Sequence, residues 1–293
     1  MLWIPFTLFA AFMQAWRNAL QKQLSQHLGA TSVTLARFIL AGPLAGGYLW
    51  LLYRWQPDQP LPHFSVLFAA YIVGAAVCQI VATALMVRLF QLRNYAVGVG
   101  LAKSEAIWAA ILGVGFFGSL LSPLGWLGVA IGGVAIGLLS GLRRLSGGIS
   151  PTTLLLGVGS GLSFALTSLW VREASLLLEL TFPFSAAWVL LLVISLQTLL
   201  LVGWLAWRDR SSLSGLVKHP TLTAAVSITS CLGSIGWFSA MSLESVALVK
   251  TLGQIEVLFT LLISAYYFKV KLTRQDHWGL ALIVIAAICV MWA

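Results

Sequence analysis

The chain has 293 residues, of which 60% are hydrophobic and only 9% charged, and its mean hydropathy is +0.96. That composition excludes a soluble globular domain. The formal charge of +9 does not indicate nucleic acid, because the basic residues are scattered among connections and do not gather on an aromatic-studded basic face.

Ten apolar segments follow one another, each near the roughly 17 to 25 residues that cross a bilayer as a helix. They run approximately from Leu2 to Leu20, Thr31 to Tyr53, Ser65 to Leu89, Tyr95 to Phe117, Ser122 to Leu142, Thr152 to Ser175, Phe182 to Trp207, Thr221 to Leu243, Val246 to Phe268 and Leu272 to Trp292. Barrel strands would be shorter and would alternate. The fold class is therefore all-α, a polytopic membrane protein with ten transmembrane helices. Met1 to Thr7 carries no positive residue, and no convincing small-residue cleavage site follows, so the first segment reads as a retained helix. Trp3, Trp50, Trp55, Trp126, Trp204, Trp207, Trp278 and Trp292 fall near segment ends, where an amphipathic ring prefers the headgroup layer.

Within the fourth and ninth segments stand Glu105 and Glu256, 151 residues apart. At that register Tyr95 to Gly113 aligns without gaps on Val246 to Ser264, and Leu121/Leu272, Gly128/Gly279, Ala130/Ala281 and Ala135/Ala286 match further on. The chain thus divides into a first five-helix repeat (1–142), a cytoplasmic linker (143–151) and a second five-helix repeat (152–293). Five is odd, so the second repeat enters the membrane inverted. Arg17, Lys22, Arg88, Arg93, Arg143, Arg144, Arg208, Arg210, Lys218, Lys269, Lys271 and Arg274 fall at the connections after odd-numbered segments, and only Arg54 and Arg172 on the other side. The positive-inside rule then puts those twelve in the cytoplasm and both termini outside.

A charge at a helix centre costs roughly 2.5 to 3.5 kcal/mol on insertion scales and marks a pathway, a cavity or a partner. Glu105, Glu256, Lys103 and Lys250 are therefore candidates for proton coupling or for the substrate pathway, or alternatively for structural ion pairs that fix how the halves pack. On continuous helices Lys103 and Glu105 point about 200° apart, and Lys250 and Glu256 about 240° apart, so neither pair closes on itself. A crossed arrangement, Lys103 with Glu256 or Lys250 with Glu105, would neutralise them between related helices. Substrate-binding candidates are Arg37, Gln14, Gln79, Gln254 (four residues from Lys250, on one helix face), Trp16 and Trp237. Asn18, Thr83, Ser163, Thr167, Ser230 and Ser234 are smaller polar groups that either line a path or bond a neighbouring helix. Trp108 and Trp170 are further possible cavity walls.

Cys78, Cys231 and Cys289 lie inside segments and form no disulfide framework, while His27, His63, His219 and His277 sit in separate connections without ligand spacing. No metal and no other cofactor is expected. The glycines of the fifth segment (Gly125, Gly128, Gly132, Gly133, Gly137) read as close helix packing, since a phosphate loop would need a strand before it and Lys-Ser/Thr after it.

Two five-helix halves, Ala36-Arg37-Phe38 near the start of the second segment, short turns joining segments 3 to 4 and 8 to 9, and a Trp and Gly opening each half's last segment (Trp126 and Gly128, Trp278 and Gly279) resemble the drug/metabolite transporter superfamily in its ten-helix EamA-like branch. The resemblance covers nearly the whole chain. It implies inverted repeats around a central cavity and alternating access for small metabolites or drugs. Two departures stand out: helices 4 and 9 lack the proline common in the family, and the charge bias puts the termini outside where relatives are expected to have them in the cytoplasm.

The expected function is a secondary active transporter, a proton-coupled exporter of small organic metabolites or drugs, with amino-acid or organic-anion substrates favoured by the surplus of Lys and Arg. The expected setting is the bacterial inner membrane, in contact with lipid, as a monomer or homodimer. No nucleic acid and no enzymatic activity is expected, because no nucleophile with a matched base appears on facing segments. The alternatives are a non-transporting scaffold or lipid-binding protein and a membrane-embedded enzyme.

Overall fold

The structure is a computed structural model that describes residues 1–91, 101–139, 150–266 and 274–293, and within these all side chains but those of 210–212, 263–266 and 274–276. Arg93, Arg143, Arg144, Lys269 and Lys271, most of the linker, and the starts of the fourth and tenth segments lie outside the described residues.

The described residues are helical. Helix α1 (Trp3–Leu24) is the first segment, and α2 (Ala30–Ala36) with α3 (Ala41–Trp55) forms the second. Helices α4 (Val66–Gln91), α5 (Glu105–Phe116) and α6 (Pro123–Leu139) supply segments three to five, and α7 (Pro151–Leu177) and α8 (Phe184–Arg208) segments six and seven. After α9 (Arg210–Lys218) come α10 (Pro220–Leu243), then α11 (Val246–Leu252), a 3-10 turn (Gly253–Ile255) and α12 (Glu256–Tyr266) in the ninth segment, and α13 (Arg274–Met291) in the tenth. Ala30–Trp55, Val66–Gln91, Pro151–Leu177, Phe184–Arg208 and Pro220–Leu243 are long and apolar enough to cross a membrane. Glu105–Phe116, Pro123–Leu139 and His277–Met291 are apolar but shorter within the described residues.

Helix starts follow local chemistry. Ser150 caps α7 by accepting the Thr153 amide on its Oγ at 3.1 Å, and proline occupies the first position of α6, α7 and α10, where its missing N–H costs nothing. Helix α9 was not expected from the sequence, which reads there as a polar connection. It forms because Leu213 and Leu216 reach a cluster with Leu24, Leu28 and Leu205 while Ser214 and Lys218 stay exposed.

Packing is inside-out, as lipid requires. Helix α4 turns Val73, Val77 and Val81 outward at four-residue spacing and buries Ala75, Ala76, Gln79, Ala82 and Thr83. The most extensive helix contacts are α4 with α7, α1 with α10, and α6 with α13. At a shift of 151 the first pair maps onto the second and the third onto itself, because residues of α1, α4 and α6 fall in α7, α10 and α13. Small residues bring these pairs close: Gly74 meets Trp170, Gly128 meets Val290 and Ala286, and Gly236 meets Phe6 and Ala10.

The two ends of the bundle differ. At one end Gln91 donates to the carbonyls of Ser25 and Leu28, Leu28 packs on Gly215, and His27 stacks on His219 at 4.9 Å between ring centroids. The two imidazoles, expected to be separate, thus meet, but face to face and not with nitrogens converging on a metal. Lys22, Arg88, Arg208 and Lys218 are exposed at this end. At the other end Trp188 donates to Tyr53, Thr181 to Gln59, and Arg172 to the carbonyls of Met241 and Glu244.

Three segments are not continuous helices, contrary to the expectation from hydropathy. The second is interrupted at Arg37–Leu40, where Phe38 and Ala41 bond three residues back at 2.8 and 2.9 Å. The fourth is interrupted at Lys103–Ser104, and the ninth at the Gly253–Ile255 turn. Shifted by 151, Lys103 and Ser104 fall on Gln254 and Ile255, so the last two interruptions coincide in the register. Mid-helix tightening of this kind recurs at functional hinges.

Gly236 is predicted to be intolerant of a side chain, since an added Cβ would lie 2.8 Å from the Phe6 carbonyl oxygen and 2.9 Å from Ala10 Cβ. Gly236→Val should separate α1 from α10 at a cost of about 1–3 kcal/mol, read as a lower unfolding temperature of the purified protein in detergent.

Candidate functional site

Each interruption sets charge in the middle of the bundle. Glu105 and Glu256 are the first residues of α5 and α12, where the positive end of a helix dipole favours a carboxylate. Arg37 closes α2. Because the segments tighten there, the angles expected of uninterrupted helices do not apply at Lys103, Glu105 and Glu256.

Both crossed ion pairs are formed. The Lys103 ammonium contacts Glu256 Oε2, and Lys250 Nζ lies 2.8 Å from Glu105 Oε1. Each links a residue of the fourth segment to one of the ninth. The two glutamates nevertheless have different surroundings. Glu256 is 2% exposed and also accepts from Gln14 Nε2 and, at 2.7 Å, from Asn18 Nδ2, so both of its oxygens are occupied. Glu105 accepts on Oε1 from Lys250 and from Ser168 Oγ at 3.1 Å, and among the described residues its Oε2 has no partner.

Around these pairs lies a cavity walled by Gln14, Arg17, Arg37, Gln79, Lys103, Glu105, Thr167, Ser168, Ser234 and Lys250, with Met86, Phe164, Trp237, Phe238 and Met241 as its apolar side. A smaller recess continues it to Gln254 and Glu256. The main cavity has a volume of about 30 Å³, room for about two waters at roughly 10–15 Å³ each and too little for a metabolite.

Arg37 is 3% exposed; its Nη1 donates to Thr83 Oγ1 at 2.7 Å, the guanidinium carbon lies 5.2 Å from the centroid of Phe38 and 5.9 Å from that of Phe164, and Nε has no partner. Gln14 bridges Glu256 to Trp237, whose indole donates to Gln14 Oε1 at 2.8 Å, while Lys250 Nζ stands 4.2 Å from the Trp237 ring centroid. Gln79 accepts from Gln197 at 2.6 Å. Gln254 is buried and neither of its amide atoms is bonded. Trp16 is half-buried and outside both linings, two residues along α1 from Gln14 and so on another face. Trp108 and Trp170 are likewise absent from the walls; Trp170 packs on Gly74.

Arg17 is the site residue that sequence reasoning placed wrongly. Counted there among the cytoplasmic cations, it is 3% exposed, lines the cavity and donates to Asn18 Oδ1 at 3.0 Å. A signal was present: Gln14, Arg17, Asn18 and Gln21 recur at i, i+3, i+4 and i+7, which puts them on one face of α1. Ser168 was also missed. At the register of 151 it is the counterpart of Arg17, and Ala165 and Leu169 are the counterparts of Gln14 and Asn18.

Breaking either ion pair should leave a buried charge uncompensated. Lys103→Glu and Glu256→Lys are each expected to lower stability by about 3–5 kcal/mol, and the double swap to recover part of that loss. A double-mutant cycle on unfolding midpoints in detergent measures the coupling.

These observations place the chain among known proteins. The sequence model of the EamA-like transporter family matches residues 151–292. No curated protein matches in sequence. A crystal structure of a protein superposes over 98% of this chain and 96% of its own, with a TM-score of 0.69 at 15% identity, a likeness of fold alone. The chain is a multi-pass membrane protein whose second half, residues 151–292, matches the EamA-like transporter family, consistent with the drug/metabolite transporter superfamily.

Proposed function

We propose that the protein is a proton-coupled secondary transporter that exports small organic molecules across the bacterial inner membrane, with organic anions or amino acids favoured as substrates. The observation that carries this reading is the small central cavity bounded by two crossed ion pairs at interrupted helices, an arrangement that discontinuous transporter helices use to meet substrate and coupling ion. Residues 1–142 and 152–293 act as inverted halves joined by a cytoplasmic linker, and the exposed basic end faces the cytoplasm, with both termini outside. We assign no enzymatic reaction to it.

Glu105 is the proton-linked group, and Glu256 serves as a fixed link between the halves. Gln14 and Asn18 of α1 and Lys103 of the fourth segment occupy both oxygens of Glu256, so a proton arriving there would have to displace a partner. Glu105 keeps one oxygen free beside the cavity, where a proton can arrive without displacing a partner. Protonation would release Lys250 from its carboxylate and loosen one of the two links between the fourth and ninth segments, the step that opens the cavity.

In proteoliposomes, Glu105→Gln is expected to abolish the response of flux to an imposed pH gradient while leaving substrate counterflow. Glu256→Gln should impair both, together with thermal stability. If Glu105→Gln retained gradient-driven flux at the wild-type rate, the coupling role would pass to another group.

A further inference from the structure

The charges around the cavity do not balance. Arg17, Arg37, Lys103 and Lys250 give four positive charges against two from Glu105 and Glu256, a surplus of two. The lysines are spoken for by the crossed pairs. The surplus therefore belongs to the arginines, neither of which has a carboxylate within salt-bridge distance among the described residues. Both line the same cavity, and like charges gathered away from water are costly unless an anion joins them.

Arg37 is held ready for one. Thr83 occupies only Nη1, the planar group is flanked by Phe38 and Phe164, and Nε is buried without a partner on a residue that lines the cavity. A guanidinium with a free edge is matched to the two oxygens of a carboxylate in a way that an ammonium is not. Arg17 lines the same cavity, with its donors weakly engaged at 3.0 and 3.4 Å by one amide oxygen. The remaining wall next to these groups is apolar: Met86, Phe164, Phe238 and Met241.

We propose that Arg37, assisted by Arg17, forms a carboxylate subsite, and that the substrate is a monocarboxylate with an apolar or aromatic body lying against Met86, Phe164, Phe238 and Met241. This rests on the transport reading above and sharpens its substrate class. The carboxylate neutralises one of the two surplus charges, so the loaded site is more favourable in lipid than the bare one. Organic cations are repelled, and neutral polyols leave the guanidinium edge unpaired. The cavity widens to admit such a ligand as the halves part.

The test is binding to the purified full-length protein, measured by thermal shift and by calorimetry in detergent, with phenylacetate, hexanoate and 4-methyl-2-oxopentanoate, and with methyl phenylacetate and phenethylamine as uncharged and cationic counterparts. At least one of the acids should bind and stabilise the protein, while the ester and the amine should not. Arg37→Gln should weaken the acid's binding by about 30-fold or more, and Arg37→Lys should weaken it too, since the charge remains but the fork is lost. Thr83→Val, which keeps Arg37 and releases its tether, should weaken it less, and serves if Arg37→Gln fails to fold. Failure of all three acids to bind, or equal binding of acid and ester, overturns the subsite. Proteoliposome counterflow separates the two readings: an acid that binds through Arg37 but is not moved leaves the subsite and removes the transport, whereas flux of the ester or the amine without acid binding does the reverse.

Discussion

The architecture depends on one constraint: ionised side chains taken out of water need partners. Four cations and two acids sit in the middle of a chain that is otherwise apolar, and insertion scales charge roughly 2.5–3.5 kcal/mol for each such residue at a helix centre. Neither segment satisfies this alone: Lys103 does not pair with Glu105, nor Lys250 with Glu256. The solution is to answer each acid from the other half of the chain, Glu256 by Lys103 and Glu105 by Lys250. Those links fix how the fourth and ninth segments lie against each other, and the aromatic and amide groups around them, Trp237 and Gln14 above all, follow from the geometry they impose.

The helix interruptions belong to the same constraint. A helix that tightens at Lys103–Ser104 or Gly253–Ile255 restarts at a glutamate, and the exposed amides of the new first turn stabilise the carboxylate that begins it. The glycine of the second turn serves contact: Gly253 lies against the Trp237 ring, in a space that a side chain would fill. The proline common at such places in the family is absent here, so the tightening comes from tertiary contacts and not from a missing backbone donor.

Much of this could be read from the sequence, for reasons tied to particular residues. Segment positions followed from hydropathy, since lipid leaves few alternatives to a helix, and the crossed pairs followed from Lys103 and Lys250 being unable to reach the acids of their own segments. Arg17 escaped because a cation seven residues from the end of α1 looks like a headgroup anchor until its neighbours Gln14, Asn18 and Gln21 are seen to share its face. Helix α9 escaped because its stability comes from Leu213 and Leu216 meeting residues of other segments, which no local pattern encodes. The interruptions escaped because Ser104 and Arg37 are compatible with helix, and tightening there depends on what packs against them. Trp16 was chosen on residue type alone, and type does not fix which face of a helix it occupies.

The asymmetry of the two glutamates can be traced to three positions. In the register that relates the halves, Gln14, Arg17 and Asn18 on α1 correspond to Ala165, Ser168 and Leu169 on α7. The first set gives Glu256 two amide donors, Gln14 and Asn18; the second offers Glu105 one hydroxyl. Were the two sets alike, both carboxylates would be equally saturated. Divergence at these three positions makes one acid part of the scaffold and leaves the other with a free oxygen. It also makes Arg17 an addition of the first half alone, because its counterpart is a serine. Arg37 has no basic counterpart either, since position 188 is a tryptophan. All four cations thus stand where the halves differ, since Lys103 falls on Gln254 and Lys250 on Val99, while the two acids that answer the lysines stand where the halves agree.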